Sequence, residues 1–211
     1  MSFGAILLAA GVSDRMGSSK PLLKIGETTF VEHILDQLET VPEITATVVV
    51  LGARAQLIKE AVDFGAALPV QHRGYKEGMF SSVRAGARAL LRKLPDLEGA
   101  VVCLVDMPLV EAETYARVVR AFQPDLDDVV LAAHNGESGH PILLSRVLVE
   151  RLGNVALAAP AEDTLADFIE AHAERRRFVD AQDPSVLVNI NTPDAYRTHL
   201  GEDPTTLAPE S

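Results

Sequence analysis

Residues 5–26 read "AILLAAGVSDRMGSSKPLLKIG". An apolar run stops at a stretch of small and polar residues that contains Gly11, Gly17, Arg15 and Lys20. The run is apolar at consecutive positions rather than at alternate ones, which is the pattern of a strand covered on both faces, as in a parallel sheet. Four further runs share it: "ATVVVLG" (46–52), "GAALPV" (65–70), "GAVVCLVD" (99–106) and "DVVLAAH" (128–134). Helical patterns lie between them. In "TTFVEHILDQLETV" (28–41), Phe30, Val31, Ile34, Leu35 and Leu38 form one stripe; "SSVRAGARALLRKL" (81–94) repeats the spacing with Val83, Ala87, Leu90 and Leu91, capped by Ser81 or Ser82. "VEAETYARVVRAF" (110–122) gives a third. Alternating strands and helices predict a single-domain α/β fold: a doubly wound, mostly parallel sheet with helices on both faces. There is no repeat and no linker-like change of composition, so the domain is expected to span residues 1–200, with a frayed tail over 201–211.

Bulk composition narrows the function. The chain has 211 residues, a hydrophobic content of 47% and a formal net charge of −11. So acidic a surface argues against nucleic acid or an anionic membrane as partner, but not against a nucleotide, which needs only a local positive cluster. The single cysteine, Cys103, lies in the apolar "AVVCLV" and reads as a buried thiol, with no intramolecular disulfide possible. The first apolar run is too short for a membrane span and has no basic flank before it, which predicts a cytoplasmic protein. His33, His72, His134, His140, His172 and His199 are scattered, so neither a zinc cluster nor a nucleophilic triad stands out.

In doubly wound sheets ligands bind beyond the carboxyl ends of the strands, so the loop after the first run is the first place to look for chemistry. Gly11 to Lys20 reads G-x-S-x-R-M-G-x-x-K. It fits neither a Walker loop nor a dinucleotide fingerprint. Two glycines still permit close backbone approach, loop N–H groups can form an anion nest, Arg15 offers a fork for phosphate oxygens and Lys20 a mobile charge.

The stretch "LLAAGVSDRMGSSKPLLKIG" resembles the signature L-A-A-G-x-S-x-R-M-G-x-x-K of the MobA-like nucleotidyltransferases, and within them most nearly the molybdenum cofactor cytidylyltransferases. The resemblance implies a Rossmann-like fold of the nucleotide-diphospho-sugar transferase type. It implies a nucleoside triphosphate held by Leu8, Ala9, Ala10, Gly11, Ser13, Arg15, Met16, Gly17 and Lys20, with Arg15 and Lys20 as cations on the triphosphate. "YKEGMFSSVRAG" (75–86) resembles the second motif and adds Gly78, Ser81 and Ser82; His72-Arg73 stand where the family often has Asn-Pro. "VVCLVDMPLV" (101–110) resembles the D-x-P segment, which makes Asp106 a Mg²⁺ ligand where the residues alone also allow a turn or cap. "GESGHPILL" (136–144) resembles the G-H-P segment and places His140 on the acceptor.

"VLVNINTPDAY" (186–196) resembles the closing motif, with Thr192 as N-cap and Pro193 opening the last helix. Asn189 and Asn191 stand where cytidylyltransferases usually carry Asp, and guanylyltransferases often show the Asn form; Asn191 remains an oxygen ligand for Mg²⁺ beside Asp106. No G-D-x-G-A-R-like segment precedes this motif. In its place are an amphipathic pattern with Leu165, Phe168 and Ile169 inward and the basic cluster Arg175–Arg177.

The activity implied is transfer of a nucleoside monophosphate, from CTP by the Ala9-Ala10 pair, to a phosphate-bearing acceptor such as molybdopterin, with release of pyrophosphate. Lys20, Arg15 and Asp106 form the catalytic set, Mg²⁺ is the cofactor, and a molybdoenzyme or chaperone is a further partner. A sugar-phosphate or isoprenoid nucleotidyltransferase, or a non-catalytic nucleotide-binding module that delivers a cofactor, would use the same opening loop.

Overall fold

The first apolar run forms strand β1 (Phe3–Ala9), every residue of which is buried. In the computed structural model, residues 1–11, 16–154 and 164–206 are described. On β1 the sheet is built outward by β4 (Ile44–Leu51) and β5 (Leu68–Gln71) on one side and β6 (Gly99–Leu104) on the other, all parallel to it. Two short strands, β2 (Lys24–Ile25) and β3 (Thr28–Thr29), form a separate hairpin that follows the opening loop. Beyond β6 come β8 (Glu137–Ser145), β7 (Val129–His134) and β9 (Arg176–Asp180), giving the order β5-β4-β1-β6-β8-β7-β9. Strand β8 pairs antiparallel with both neighbours and is the only reversed strand of the seven described.

Seven helices accompany the described strands: α1 (Phe30–Glu39), α2 (Ala55–Ala61), α3 (Met79–Lys93), α4 (Ala112–Ala121), α5 (Arg146–Gly153), α6 (Leu165–Glu170) and α7 (Pro193–Leu200). They cover both faces, and neighbouring residues of each strand feed different cores. Ala5, Leu7, Val101 and Cys103 pack with α1, α2, α4 and α7; Ile6, Leu8, Ala100 and Val102 pack with α3, α5 and α6. This is why the runs read as continuously apolar. Thr29 caps α1, accepting from the Glu32 amide while Glu32 accepts from the Thr29 amide, an arrangement worth about 1 kcal/mol.

The structure departs from the sequence reading at four places. Helix α3 begins at Met79 with Gly78 as its cap residue, so neither Ser81 nor Ser82 is the cap. Ser81 lies inside the first turn, where its hydroxyl donates to the Gly78 carbonyl at 2.7 Å. Helix α5 is absent from the periodicity reading, and β8, the strand that the G-H-P resemblance leads into, runs opposite to its neighbours. The β7–β8 connection is a two-residue turn at Asn135 and Gly136, both with positive φ (52° and 87°), the geometry that Asn-Gly serves in hairpins. The basic cluster Arg175–Arg177 leads into and opens β9, where Arg177 pairs with the buried Asp127 at 2.8 Å and Arg175 with Asp128 at 3.3 Å. Finally, the tail does not fray from residue 201. The Lys24 amide donates to the Thr205 carbonyl at 2.9 Å and Leu23 bridges to Thr206, backbone pairing that composition cannot reveal. Residues 207–211 lie outside the described residues.

Candidate active site

The carboxyl ends of β1 and β6 lie side by side, and the residues that follow them form one wall. The Val105 amide donates to the Leu8 carbonyl at 3.1 Å, which carries the pairing one residue past the end of β6. Asp106 follows, at the lip of the sheet, with its side chain 18% exposed. Its backbone carbonyl accepts from the Ile190 amide at 2.7 Å, so the segment before α7 is fastened beside it. Buried Ile190 faces inward, and Asn191 follows it at the lip.

Lys20 comes from the other side. The opening loop leaves β1 at Ala10, returns through buried Met16 and Gly17 (φ 73°), and reaches buried Ser19. Lys20 then starts a 3₁₀ turn with Pro21 and Leu22, in which the Leu22 amide donates to Ser19 and the Leu23 amide to Lys20 itself. From this fixed base the ammonium donates to Asp106 Oδ2 at 3.1 Å and to Asn191 Oδ1. Asp106 and Asn191, 86 and 171 positions from Lys20 in sequence, thus meet its ammonium at one point.

Beside that point is a cavity of about 210 Å³. Leu8, Ala9, Ala10 and Gly11 line it from the end of β1, Leu104 to Asp106 from the end of β6, Tyr75 from the 3₁₀ turn before α3, and Met79 and Ser82 from the first turn of α3, with Lys20 and Pro21 beside them. The first turn of α3 brings amides without intrahelical partners to this wall, and Gly78 (φ 100°) makes the entry. Leu8, Ala9, Ala10, Gly11, Lys20, Ser82 and Asp106 therefore line one cavity. Met16 is buried in the core beneath the loop. Ser81 is turned toward the preceding loop, its hydroxyl within 2.9 Å of His72 Nε2 and 3.2 Å of the Gly74 carbonyl, and it does not line the cavity. Ser13 and Arg15 lie outside the described residues.

His140 lies on β8, which neighbours β6 on the side away from β1, and is not among the residues lining the cavity. Its Nδ1 is 3.3 Å from the Val102 carbonyl. Burial pulls its pKa below the usual histidine range, against the opposing pull of the Val102 carbonyl and the Asp106 carboxylate, so the ring is neutral at pH 7.

Tyr75, Met79 and Pro21 also line the cavity, and Asp183 supports the site, though none was singled out from sequence. Asp183 is buried and accepts from the Ser185 amide (2.9 Å) and hydroxyl (2.5 Å), the Thr114 hydroxyl (2.7 Å) and the Glu111 amide (3.3 Å). Burial pushes its carboxyl up, but these bonds outweigh that and hold it below the usual carboxylate range. It ties the turn Pro184–Leu187, and so the approach to Asn191, to the start of α4. The Asp-Pro-Ser run is its sequence signal.

Among the described residues no group of three or more His, Cys, Asp and Glu side chains is placed to hold a metal. Asp106 and Asn191 nonetheless aim two oxygen donors at one point, and the Lys20 ammonium at that point shows that the pair accepts a cation. One carboxylate and one amide oxygen suit a hard divalent ion that keeps waters or takes phosphate oxygens for the rest of its shell.

The chain is similar in sequence and fold to known proteins. The chain is 24% identical over 196 residues to a molybdenum cofactor cytidylyltransferase of Escherichia coli (strain K12), covering 92% of this chain and 93% of that protein. It is 28% identical over 195 residues to a molybdenum cofactor guanylyltransferase of Vibrio campbellii, covering 90% of each. The crystal structure of Rv0371c from Mycobacterium tuberculosis superposes with a TM-score of 0.78 at 25% identity, covering 95% of this chain and 98% of that one. The MobA-like NTP transferase domain matches residues 5–176, a span that runs from β1 through the Lys20 loop, the α3 entry and Asp106 into β9, and the chain belongs to that family of nucleotidyltransferases.

Proposed function

We propose that this nucleotidyltransferase transfers a cytidylyl group from CTP to the terminal phosphate of a molybdopterin-type acceptor and releases pyrophosphate. The observation that carries the reading is the meeting of Lys20, Asp106 and Asn191 at the lip of the cavity that ends β1 and β6. An acceptor phosphate oxygen attacks the α-phosphorus, and the bond from that phosphorus to the pyrophosphate oxygen breaks. The nucleophile is already an anion, so no general base is needed, and catalysis reduces to alignment and charge neutralisation. Lys20, at the cavity wall, neutralises charge on the α-phosphoryl group, and Arg15 is assigned to the departing pyrophosphate. Asp106 and Asn191 would hold Mg²⁺, which supplies charge to the phosphoryl oxygens when bound. Ala9, Ala10 and Ser82 border the space for the nucleoside. His140, on β8 beside β6, is assigned to the acceptor, a reading supported by its uncharged ring and its strand's position next to Asp106's.

The choice of CTP rests on Ala9-Ala10, which resemble the cytidylyl branch and line the cavity directly. Titration calorimetry with CTP and GTP at matched Mg²⁺ tests it. CTP is expected to bind the more tightly; a tenfold preference for GTP, about 1.4 kcal/mol, would reverse the base assignment. The acceptor is tested by following pyrophosphate release with molybdopterin, a sugar phosphate and an isoprenoid-type phosphate as alternatives. Release with none of them, despite nucleotide binding, would favour a cofactor-delivery module.

A further inference from the structure

We infer that Lys20 is a resident counter-ion that masks the metal site until a triphosphate draws it away, so that metal and nucleotide binding are coupled through this one side chain. The inference rests on the reading that Asp106 and Asn191 are the metal ligands. Its ground is a shared locus. The Lys20 ammonium stands 3.1 Å from Asp106 Oδ2 and is bonded to Asn191 Oδ1. An ion held by those same two oxygens would compete with the ammonium for them. A divalent ion and an ammonium cannot both occupy that locus, because their repulsion there is unscreened by intervening water. Lys20 is 15% exposed and Asp106 18%, so the contact is largely sheltered.

The displaced ammonium has a place to go. The Lys20 backbone is held by its 3₁₀ turn between buried Ser19 and buried Leu22, but its four-carbon stem lets the charge swing. Lys20 lines the same cavity that Ala10, Gly11 and Ser82 line. An anion seated there competes with Asp106 and Asn191 for the ammonium. Each step helps the next: phosphate removes the ammonium from the metal ligands, and the metal keeps it on phosphate. Linkage makes the coupling equal in both directions. With neither ligand bound, Lys20 keeps Asp106 and Asn191 together and the site neutralised.

The test is Mn²⁺ binding, read from the free-ion electron paramagnetic resonance signal, to the whole chain without nucleotide. Lys20→Met keeps the stem and removes the charge. It is expected to bind Mn²⁺ more tightly than wild type, by roughly 5- to 150-fold, the range of ordinary coupling between sites. Lys20→Arg, which keeps a cation, is expected to stay near wild type. Lys20→Gln repeats the neutral substitution, and its thermal midpoint beside that of Lys20→Met reports whether the fold is intact. Mn²⁺ affinity in both folded neutral variants no higher than in wild type overturns the masking role. The assignment beneath it is read separately from the double variant Lys20→Met, Asp106→Ala, again without nucleotide. Loss of bound Mn²⁺ there, beside unimproved Lys20 variants, sinks the masking role alone. Retention of bound Mn²⁺ removes Asp106 as a ligand and overturns both.

Discussion

Gly139→Ala adds a single methyl where β8 passes the turn that carries the closing segment. A Cβ at this position would stand 1.8 Å from the Val186 carbonyl oxygen and 2.7 Å from its carbon, and real Cβ contacts essentially never fall below 3.0 Å. The obstacle is backbone, so no rotamer change relieves it. Gly139 does not have positive φ, so the cost is steric and not conformational. The turn at Val186 must retreat by about an ångström, but Asp183 ties it to Thr114 and Glu111 on one side and Ile190 ties its continuation to Asp106 on the other. Overpacking against a structure that cannot yield costs up to about 3 kcal/mol. For a chain of this size that lowers the thermal midpoint by roughly 6–12 °C. The displaced segment carries Asn191, so Mn²⁺ affinity in the presence of nucleotide should fall as well. Gly136→Ala, in the β7–β8 turn, is the control: it has φ 87° and nothing within 4 Å, so it costs about 1–2 kcal/mol and leaves metal affinity alone. Thermal unfolding and metal titration of both variants decide the matter. A Gly139→Ala protein that melts within about 2 °C of wild type would mean that the close packing of β8 on the 184–187 turn does not constrain the site.

Four other substitutions or conditions probe the same geometry. Asp106→Asn should lower turnover by a factor on the order of 10²–10³ and spare metal-free nucleotide binding; full metal-dependent activity would remove Asp106 from the ligand set. Asn191→Asp adds a carboxylate and should tighten Mg²⁺ with nucleotide present, and an unchanged metal titration would reduce Asn191 to a partner of Lys20. Asp183→Ala leaves four donors around a buried space and should cost about 3 kcal/mol in urea unfolding; a loss below about 1 kcal/mol would deny it the anchoring role. His140 is held neutral by burial, against Val102 and Asp106, so its folded pKa lies below the ordinary 6.5 and its contribution to stability is complete above that value. As pH falls below about 6.5 the unfolded chain takes up the proton first, and stability drops by up to about 1.4 kcal/mol per pH unit for this group. His33, also lowered by burial and opposed by Asp36, adds to the same slope. His140→Gln should flatten the pH dependence of the thermal midpoint over this range, and an unaltered slope would assign it elsewhere.

Much of this was legible in the chain itself. The apolar runs announced strands with two covered faces, because a strand whose alternate side chains enter two different cores has no polar side to display. The abrupt stop of β1 at small residues, Asp106 at the end of another such run, and Thr192-Pro193 before the last helix each mark a local event, and local events are written in adjacent residues. Direction is not. A buried strand reads the same forwards and backwards, so the reversal of β8 could be seen only in Asn135-Gly136, two residues whose positive φ closes the hairpin. Strand β9 stayed hidden because its arginines gain partners in Asp127 and at the surface that no spacing reveals. The sequence by itself determined the alternation of strands and helices through the first part of the chain, the two-sided core, and the glycine-containing loop that ends β1. Only the tertiary structure decided that Lys20, Asp106 and Asn191 share one point, because the order of strands in the sheet, and not distance along the chain, sets which strand ends become neighbours.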